Sequence, residues 1–507
     1  MLPFASHPHA AEPIRARHYH LAEMTLREVL GDAASDSPHV EVTALAYDNR
    51  RVQPGTVFFC VRGFTRDGHD FADDAVRRGA VALVVDHPLL DIDNPQVVVD
   101  DVRAAMAPAA ARLHGDPTAT LRTIGITGTN GKTTSAYLVR ALLEAAGRRT
   151  GLLGTVTSIV GGAEHEVART TPEAIDLQAT FAQMLAAGDS ECVMEVSSHA
   201  LALGRVAAIH WAAAIFTNLT QDHLDFHPTM EEYFVAKRRL FTPSAGTGDA
   251  GPQVAVINID DPYGTRLAAE LDGRLITIGI DNADADLRAT DVRSDFSGST
   301  FRAGGLELRT PLPGTFNVMN VLGAVAAARA LGVDDATIVA ALPEAGRVPG
   351  RFEPVDAGQD FAVLVDYAHT PDSLDNVLAA ARPLTRGRLL CVFGCGGDRD
   401  RGKRPQMGEI SARLADLTLV TSDNPRSEDP AAIVEEILTG IDDRSATEAI
   451  VDRHAAIERA VALARAGDVV VIAGKGHEQG QEFERGRKLP FDDVTVAREA
   501  LRARLVA

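Results

Sequence analysis

The stretch TIGITGTNGKTT, residues 123–134, predicts a strand that runs into a glycine-rich loop, with Lys132 and Thr133 opening a helix. Glycines let backbone N–H groups approach phosphate oxygens, and the helix N-terminus adds positive potential. Lys132 can reach terminal phosphates, and the Thr133 hydroxyl can bind Mg²⁺. The common nucleotide-loop pattern has glycine five residues before Gly131, where this chain has Ile126, so only the spacing G-x-x-G-K-T is met. The loop favours a nucleoside triphosphate site over an ordinary glycine-rich turn.

Apolar runs alternate with helical patterns on both sides of this loop. Strands are predicted at 56–61, 81–85 and 96–99 before it, at 192–196, 213–219 and 254–259 after it, and at 361–365, 389–393, 417–420 and 469–472 beyond a Pro/Gly segment at 346–351. This alternation predicts mainly parallel sheets covered by helices, with ligands at the carboxyl ends of the strands.

The 507 residues are too many for one hydrophobic core. We expect an α/β protein of three domains: a smaller N-terminal α/β domain, a central P-loop ATPase-type domain with a parallel sheet, and a C-terminal Rossmann-like doubly wound domain. The expected boundaries are 21–117, 118–349 and 350–507. Residues 1–38 are expected to hold a disordered leader and the start of the first domain.

Composition narrows the classes of partner. Lys and Arg number 50 against 70 Asp and Glu, a net charge of −20, which argues against nucleic acid bound through a large basic surface and against an anionic membrane. The four cysteines are too few for a disulfide scaffold, and Cys391 and Cys395 lack zinc-site spacing. No run approaches the ~20 apolar residues of a membrane span, and the N-terminus lacks the apolar core of a secretion signal. We expect a cytoplasmic monomer that acts on small molecules.

Eleven segments, in chain order, resemble motifs of the Mur ligases, the amide-forming enzymes of bacterial cell-wall precursor synthesis. TGTNGKTT (127–134) resembles their ATP loop. The others are TTPE (170–173), MEVSSH (194–199), NLTQDHLDFH (218–227), YFVAKRRLF (233–241), FNVMN (316–320), PGRFE (349–353), VDYAH (365–369), GCGGDRDRGKRP (394–405), DNPR (423–426) and GKGHE (474–478). Within the family, the chain resembles the members that add the third amino acid of the stem peptide.

The resemblance implies an ATP site and a catalytic group with Mg²⁺. The implied ATP-binding residues are Gly128, Thr129, Asn130, Gly131, Lys132, Thr133, Thr134, Asn317, Asn320, Arg351 and Asp366. The implied catalytic residues are Lys132, Glu195, His223 and Lys237, and the implied Mg²⁺ ligands are Thr133, Glu195, His223 and Lys237. Mg²⁺ prefers oxygen ligands, so His223 taken alone is as readily a hydrogen-bonded loop histidine as a ligand.

Lys237 shares one face of a predicted helix with Tyr233, Leu240 and Phe241. A lysine on such a face commonly snorkels to solvent. A buried lysine instead has a lowered pKa, and its neutral amine can add CO₂ to give an anionic carbamate that approaches Mg²⁺ as a carboxylate does. The family carries that modification at this position, so the resemblance implies N6-carboxylysine at Lys237.

Two substrate groups are also implied. The UDP-sugar peptide is assigned Tyr47, Asn49, Thr170, Thr171, Ser197 and Arg205. Diaminopimelate is assigned Arg399, Asp423, Asn424, Pro425, Arg426, Gly474 and Glu478, with guanidinium on carboxylate and Glu478 on ammonium. DNPR resembles the motif of the members that add meso-diaminopimelate, and the lysine-adding members depart from the arginine. The resemblance therefore implies that Arg426 binds the second carboxylate, which lysine does not have.

The implied reaction is ATP-dependent addition of meso-diaminopimelate to the D-Glu γ-carboxylate of UDP-N-acetylmuramoyl-L-alanyl-D-glutamate through an acyl phosphate. The alternatives are a lysine-adding or D-Ala-D-Ala-adding ligase, folylpolyglutamate synthase, a non-catalytic sensor of cell-wall precursors, and a kinase-like phosphotransferase. DNPR and the first domain argue against the sister ligases. The intact catalytic set argues against a sensor, and the basic residues near the C-terminus argue against a kinase.

Overall fold

The computed structural model describes residues 24–167, 169–243 and 251–506. Residues 1–23 of the expected leader segment, 1–38, therefore lie outside the described residues. All four cysteines are buried and free, as expected for a chain without a disulfide scaffold. Within the described ranges, no helix is both long enough and apolar enough to cross a membrane.

The N-terminal elements form a small α/β layer. They are β1 (Met24–Thr25), α1 (Leu26–Leu30), β2 (Glu41–Val42), β3 (Ala44–Ala46), β4 (Thr56–Phe59), α2 (Ala72–Arg77), β5 (Ala80–Val85), β6 (Gln96–Val98) and α3 (Val102–Leu113). Strands β3 to β6 make a parallel sheet in chain order. Its two faces bury alternate residues, Val57 and Phe59 on one and Phe58 and Cys60 on the other, which is why the run reads as continuously apolar.

The middle of the chain holds the elements around the phosphate loop. They are β7 (Arg122–Thr127), α4 (Lys132–Ala145), β8 (Thr150–Leu153), β9 (Ser158–Val160), β10 (Ala163–His165), α5 (Ala174–Ala186), β11 (Glu191–Glu195), α6 (Ser198–Ala202), β12 (Trp211–Phe216), α7 (Met230–Arg238), β13 (Ala255–Asn258), α8 (Pro262–Glu270), β14 (Leu275–Gly279), β15 (Leu287–Arg288), β16 (Thr290–Asp295), β17 (Gly298–Ala303), β18 (Leu306–Thr310), α9 (Thr315–Ala330) and α10 (Asp335–Ala341).

The C-terminal elements begin after the Pro/Gly segment. They are β19 (Glu353–Pro354), β20 (Ala362–Asp366), α11 (Pro371–Ala381), β21 (Leu389–Phe393), α12 (Lys403–Leu414), β22 (Leu417–Val420), α13 (Pro430–Leu438), β23 (Thr447–Ala449), α14 (Arg453–Leu463), β24 (Val469–Ala473), β25 (Gln481–Phe483), β26 (Arg487–Leu489) and α15 (Asp493–Val506). Short 3₁₀ turns lie at Gly31–Ala34, Asn49–Arg51, Gly68–Phe71, Pro117–Ala119, Leu342–Glu344, Arg382–Leu384 and Glu484–Gly486.

The described residues divide into two compact units. The first comprises those within 24–127, 147–214 and 236–255, and the second those within 128–146, 215–235 and 256–506. In the first unit, β11 pairs in parallel with both β7 and β8, and β9 and β10 add antiparallel strands beyond β8. The predicted parallel β–α arrangement around the loop is confirmed.

The second unit contains a six-stranded sheet of order β19-β20-β24-β21-β22-β23, parallel except for β19. Val469 and Val471 of β24 pack under α11 to α13, whereas Val470 and Ile472 pack under α14 and α15. Helices therefore cover both faces, which confirms the predicted doubly wound C-terminal fold. The same unit holds a three-stranded antiparallel sheet, β16 to β18, that the sequence did not predict.

Candidate active site

The phosphate loop requires glycine at two positions. Gly131 directly precedes α4 as its N-cap, with φ +85°, and a Cβ there would lie 2.3 Å from Asn320 Oδ1. Gly128 has φ +151°, and a Cβ there would lie 1.9 Å from Thr217 Oγ1. Any other residue would be strained and would displace these side chains, so the loop is built from glycine for steric as well as conformational reasons.

The Lys132 ammonium is held at the loop that precedes it. Its Nζ donates to Gly128 O at 2.8 Å and to Thr129 O at 2.7 Å. On the other side of the loop, Asn130 Nδ2 donates to Asp372 Oδ2 at 2.6 Å. These bonds fix the loop and keep a positive charge where phosphate oxygens would approach the backbone N–H groups.

A cavity of about 460 Å³ opens beside the loop in the second unit. Residues predicted for the ATP site line it: Asn130, Gly131, Thr134, Asn320, Arg351 and Asp366. Phe316 and Val377 add apolar side chains to the lining, so the cavity beside the phosphate loop has both apolar and polar walls. Asn317 instead donates to Pro313 O at 2.8 Å and accepts a hydrogen bond from Asn320, so it supports a lining residue.

Arg351 places a second cation at the same loop. Its Nη2 donates to Thr133 Oγ1 at 3.0 Å, and its guanidinium carbon lies 4.7 Å from the centre of the Tyr367 ring. Its Nε is buried and has no hydrogen-bond partner within the described part of the chain. A buried donor without a partner is costly, so this guanidinium is suited to an anionic ligand in the cavity.

Asp366 ends β20 and is buried against the cavity. Its Oδ2 accepts a hydrogen bond from Phe352 N at 2.7 Å. Burial raises the pKa of the Asp366 carboxyl to about 6, although Arg351 and two backbone N–H groups oppose the rise. The group therefore binds a proton more tightly when the chain is folded, and this contribution to stability is complete below about pH 4 and is lost as pH rises through about 6.

Asp366→Asn is therefore expected to change how stability depends on pH. Relative to the native chain, the variant should gain up to about 3 kcal/mol in free energy of unfolding at pH 7.5, because 1 pKa unit is worth about 1.4 kcal/mol. The gain should shrink toward pH 4.5. Thermal unfolding of both proteins from pH 4.5 to 8 measures this. Asp442→Asn, at an exposed position, is the control, and a pH-independent difference for Asp366→Asn would contradict the assignment.

His223 lies in the loop after β12 with φ +56° and a half-exposed ring. Its Nε2 is 3.3 Å from Asp222 Oδ2. Burial would raise the pKa of Asp222, but His223, His369 and Lys403 together hold it well below its usual range. A permanently ionised carboxylate therefore lies beside the predicted metal ligand.

Glu195 and Lys237 belong to the first unit. Glu195 ends β11, is 1% exposed, and accepts hydrogen bonds from Thr155 N at 2.8 Å and Thr155 Oγ1 at 3.0 Å. Lys237 lies on α7 and is also 1% exposed, so the snorkelling alternative is wrong. A buried carboxylate and a buried lysine are the groups that the predicted metal and carbamate chemistry requires.

Four of the predicted substrate residues come together in the first unit. Thr170 Oγ1 is 3.1 Å from Thr155 Oγ1, and Ser197 N donates to Thr171 Oγ1 at 3.1 Å. Arg205 Nη1 donates to Thr171 O at 3.3 Å. Glu173, at the N-terminus of α5, forms ion pairs with Arg103, Arg169 and Arg205 at 2.9 to 3.1 Å. Three guanidinium groups around one carboxylate leave an excess of positive charge for an anionic substrate.

Tyr47 and Asn49 make contacts of their own. Tyr47 OH donates to Asp176 Oδ2 at 2.8 Å, one turn along α5 from Glu173, and Asn49 Nδ2 donates to Asp74 Oδ2 at 2.7 Å. Burial and Asp176 raise the pKa of Tyr47, so its hydroxyl stays protonated. Helix α5 thus connects Tyr47 to Glu173 and the three arginines around it.

The predicted amino-acid pocket gathers at the carboxyl ends of β22 and β24. Asn424 Nδ2 donates to Glu478 Oε2 at 2.8 Å, and Lys475 Nζ donates to Asn424 Oδ1 at 2.9 Å and to Glu478 Oε2 at 2.8 Å. Gly474 has φ +119°, and a Cβ there would lie 2.5 Å from Asp423 Oδ2. Lys475, fully buried, was not predicted as a site residue, although it lies within the motif GKGHE.

Arg426 follows Pro425 with φ +51° and is held on three sides. Its Nε donates to Glu482 Oε2 at 3.0 Å, its Nη1 donates to Gly397 O at 2.7 Å, and its backbone N donates to Glu482 O. Arg399 is exposed and lies 3.8 Å from Asp225 Oδ2. The structure therefore fixes Arg426 and leaves Arg399 more accessible.

Family models match three consecutive segments of the chain. They are the Mur ligase family catalytic domain at residues 41–114, the Mur ligase middle domain at 126–328, and the Mur ligase glutamate ligase domain at 350–476. These segments contain the N-terminal sheet, the phosphate loop and most of the six-stranded sheet. The match thus extends over most of the chain.

Known relatives match this chain along nearly its whole length. The UDP-N-acetylmuramoyl-L-alanyl-D-glutamate--2,6-diaminopimelate ligase of Syntrophomonas wolfei subsp. wolfei is 47% identical over 475 residues, 92% of this chain and 96% of its own. A solved structure of a protein with that ligase name is 33% identical, with TM-score 0.68 and coverage of 95% and 99%. The MurF ligase of Thermotoga maritima in complex with ADP shares the fold at 18% identity and TM-score 0.62, with coverage of 91% and 98%. The chain therefore belongs to the Mur ligase family.

Proposed function

We propose that the chain is an ATP-dependent amide ligase that adds meso-diaminopimelate to UDP-N-acetylmuramoyl-L-alanyl-D-glutamate in peptidoglycan precursor synthesis. The relatives that match it over nearly their full length are named UDP-N-acetylmuramoyl-L-alanyl-D-glutamate--2,6-diaminopimelate ligase. We propose the D-Glu γ-carboxylate as the nucleophile toward ATP and the resulting acyl phosphate as the electrophile for the diaminopimelate amine.

The observation that carries this proposal is the position of Tyr367. Its side chain lines the cavity beside the phosphate loop and stacks under Arg351, and its hydroxyl donates to Glu478 Oε1 at 3.3 Å. One aromatic ring thus separates the proposed ATP cavity from the proposed amino-acid pocket. A ligase needs this proximity, because the activated carboxylate must meet the incoming amine before water does.

The chain's own residues supply charge and position. Lys132 and Arg351 neutralise the transferring phosphoryl group, and Arg205 with Thr171 orients the substrate carboxylate. Glu478 accepts the ammonium of the amino acid, and Arg426 binds a carboxylate through its guanidinium. The acceptor amine must lose a proton before attack.

We propose Thr133, Glu195, His223 and N6-carboxylated Lys237 as ligands of Mg²⁺, because Mg²⁺ prefers oxygen and these residues include a hydroxyl and carboxylate-type oxygens. Complete burial of Lys237 favours the neutral amine from which the carbamate forms. When bound, Mg²⁺ withdraws charge from phosphate oxygens and lowers the cost of bringing anions together.

We also propose the domain boundaries 21–117, 118–349 and 350–507, with a leader within residues 1–38. Each segment matched by a family model falls within one of these ranges. We propose a monomer that acts in the cytoplasm on small molecules and binds neither nucleic acid nor membrane, which agrees with the net charge of −20.

Phosphate release tests the reaction class. Purified protein should release phosphate from ATP only when Mg²⁺, the UDP-muramoyl dipeptide and meso-diaminopimelate are all present. Release without the amino acid would indicate a hydrolase. Formation of ADP without free phosphate would indicate a phosphotransferase, and absence of both products with any combination of these substrates and L-lysine would favour the precursor sensor.

Glu482→Gln is expected to weaken acceptor binding without slowing catalysis. The amide keeps the shape of the side chain but removes the charge that holds Arg426 Nε, so the KM for meso-diaminopimelate should rise about two- to fivefold while kcat stays unchanged. The effect is small because Glu482 is 43% exposed, and exposed ion pairs contribute about 1 kcal/mol or less. Steady-state kinetics at saturating ATP measures it.

Glu484→Gln is the matched control, because Glu484 lies two residues along the same hairpin and its carboxylate is 3.6 Å from Arg485 Nε. Its KM should match that of the native chain. A fall in kcat for Glu482→Gln with KM unchanged would contradict the positioning role.

A further inference from the structure

Two histidines and an aspartate cluster at one end of the N-terminal sheet, apart from the residues assigned above. Asp86 and His87 follow β5 directly, and His69 lies in the 3₁₀ turn Gly68–Phe71. One ligand atom of each residue lies within 4.8 Å of the other two. The rings of His69 and His87 have centroids 4.7 Å apart. Imidazole and carboxylate groups at this spacing are typical of transition-metal sites.

His69 is oriented as a ligand would be. Its Nδ1 lies 2.6 Å from Asp67 Oδ1, and the backbone N–H of Asp86 points to its Nε2 at a long 3.4 Å. Nδ1 therefore carries the proton, and the Nε2 lone pair faces Asp86. Metal-binding histidines commonly donate their second nitrogen to a carboxylate in this way. The His69 side chain is only 6% exposed, so its orientation is fixed by packing.

The distances fit a tetrahedral ion with a small adjustment. His69 Nε2 and Asp86 Oδ1 are 3.3 Å apart. Zinc bonds of about 2.0 to 2.1 Å at tetrahedral angles separate two ligand atoms by about the same distance. His87 Nδ1 lies 2.5 Å from Asp86 Oδ1, a hydrogen bond that must open by about 0.8 Å. The His87 side chain is 51% exposed and is therefore free to make that move.

Asp86 Oδ1 is the carboxylate oxygen that faces both imidazoles. Arg62 holds the same carboxylate, with its Nε 2.7 Å from Oδ2 and its Nη2 donating to Oδ1 at 3.2 Å, so the bond to Oδ1 must open when an ion binds there. Asp67 and Asp86 carry two negative charges, of which the nearby Arg62 offsets one. Two nitrogen ligands and one oxygen favour zinc over Mg²⁺, which prefers oxygen.

We propose that His69 Nε2, Asp86 Oδ1 and His87 Nδ1 bind a divalent transition-metal ion of the zinc type, with Asp67 as the positioning residue for His69. The bound ion joins the turn Gly68–Phe71 to the end of β5. It stabilises this part of the sheet, since any ligand that binds only the folded chain raises its unfolding temperature.

The test uses the full-length, tag-free chain after removal of metal by chelation, with ZnCl₂ as titrant in a calorimeter. The native chain is expected to bind one equivalent with micromolar affinity that His87→Ala and Asp86→Asn weaken at least tenfold. His87 is exposed, so its replacement leaves the fold intact. His454→Ala, at an exposed histidine on α14, is the matched control and should bind like the native chain.

Two further readouts complete the test. Zinc should raise the unfolding temperature of the native chain and of His454→Ala, but not that of His87→Ala. Co²⁺ should give a visible absorption band with the native chain and with His454→Ala, but not with His87→Ala. Zinc held by the histidines within residues 1–23 would persist in every variant and is thereby distinguished. Equal zinc affinity in the native chain, His87→Ala and Asp86→Asn would overturn the proposal.

Discussion

Replacing Lys132 by methionine is expected to lower kcat by about a thousandfold, at the upper end of the loss for removing one preorganised charge donor. Methionine nearly matches the length of lysine and removes only the ammonium, which donates to Gly128 O and Thr129 O at the phosphate loop. That ammonium lies at the loop where we propose that the terminal phosphate binds. The loss should therefore fall on kcat, because charge develops on the phosphoryl group in the transition state.

Phosphate release at saturating substrates measures this effect. Arg140→Met is the matched control, since it removes a cation from the same helix where Arg140 pairs with Glu144. It should retain activity within about twofold, as expected for an exposed pair. A Lys132→Met protein that keeps its unfolding temperature and loses less than tenfold in kcat would contradict the role assigned to the loop.

Arg426→Ala is expected to raise the KM for meso-diaminopimelate by about a hundredfold and to remove most of the preference for it over L-lysine. Loss of one partner of a hydrogen-bonded charge pair costs about 2 to 5 kcal/mol, and a hundredfold corresponds to about 2.7 kcal/mol. Glu482 and Gly397 hold the guanidinium in place before substrate arrives, so little further ordering opposes binding.

Steady-state kinetics with each amino acid as the varied substrate measures both effects, and the KM for ATP should stay unchanged. Arg413→Ala is the control, because Arg413 lies on α12 and makes exposed ion pairs with Asp375 and Glu409. If Arg426→Ala changed the KM for ATP but not that for meso-diaminopimelate, the amino-acid pocket would have to lie elsewhere.

The buried strands could be predicted closely from the sequence. Strands β21 and β22 have the predicted bounds, because both faces are covered and the apolar runs end where burial ends. Strand β16, TDVRSD, is mostly exposed and offers no apolar run, so neither it nor its partners were predicted. A pattern of apolar residues reveals a strand in the sequence only where at least one face of that strand is buried.

The sequence predicts those site residues that lie within one continuous motif. Gly131, Lys132 and Thr133 form one continuous phosphate loop, Glu195 lies within a predicted strand, and Arg426 follows one. The links among such segments could not be predicted in the same way. Tyr367 and Glu478 meet across 111 positions of sequence, and Asn130 and Asp372 across 242. Such contacts arise from the packing of whole elements, which no local pattern records.

A competition experiment tests the central claim most directly. The protein is supplied with ATP, Mg²⁺, the UDP-muramoyl dipeptide, and equal concentrations of meso-diaminopimelate and L-lysine, and the nucleotide product is weighed by mass spectrometry. The account predicts a product heavier than the dipeptide by one diaminopimelate residue, with the lysine adduct at trace level. A product dominated by lysine would contradict the assignment of Arg426 and its pocket, while an unchanged dipeptide would contradict the ligase itself.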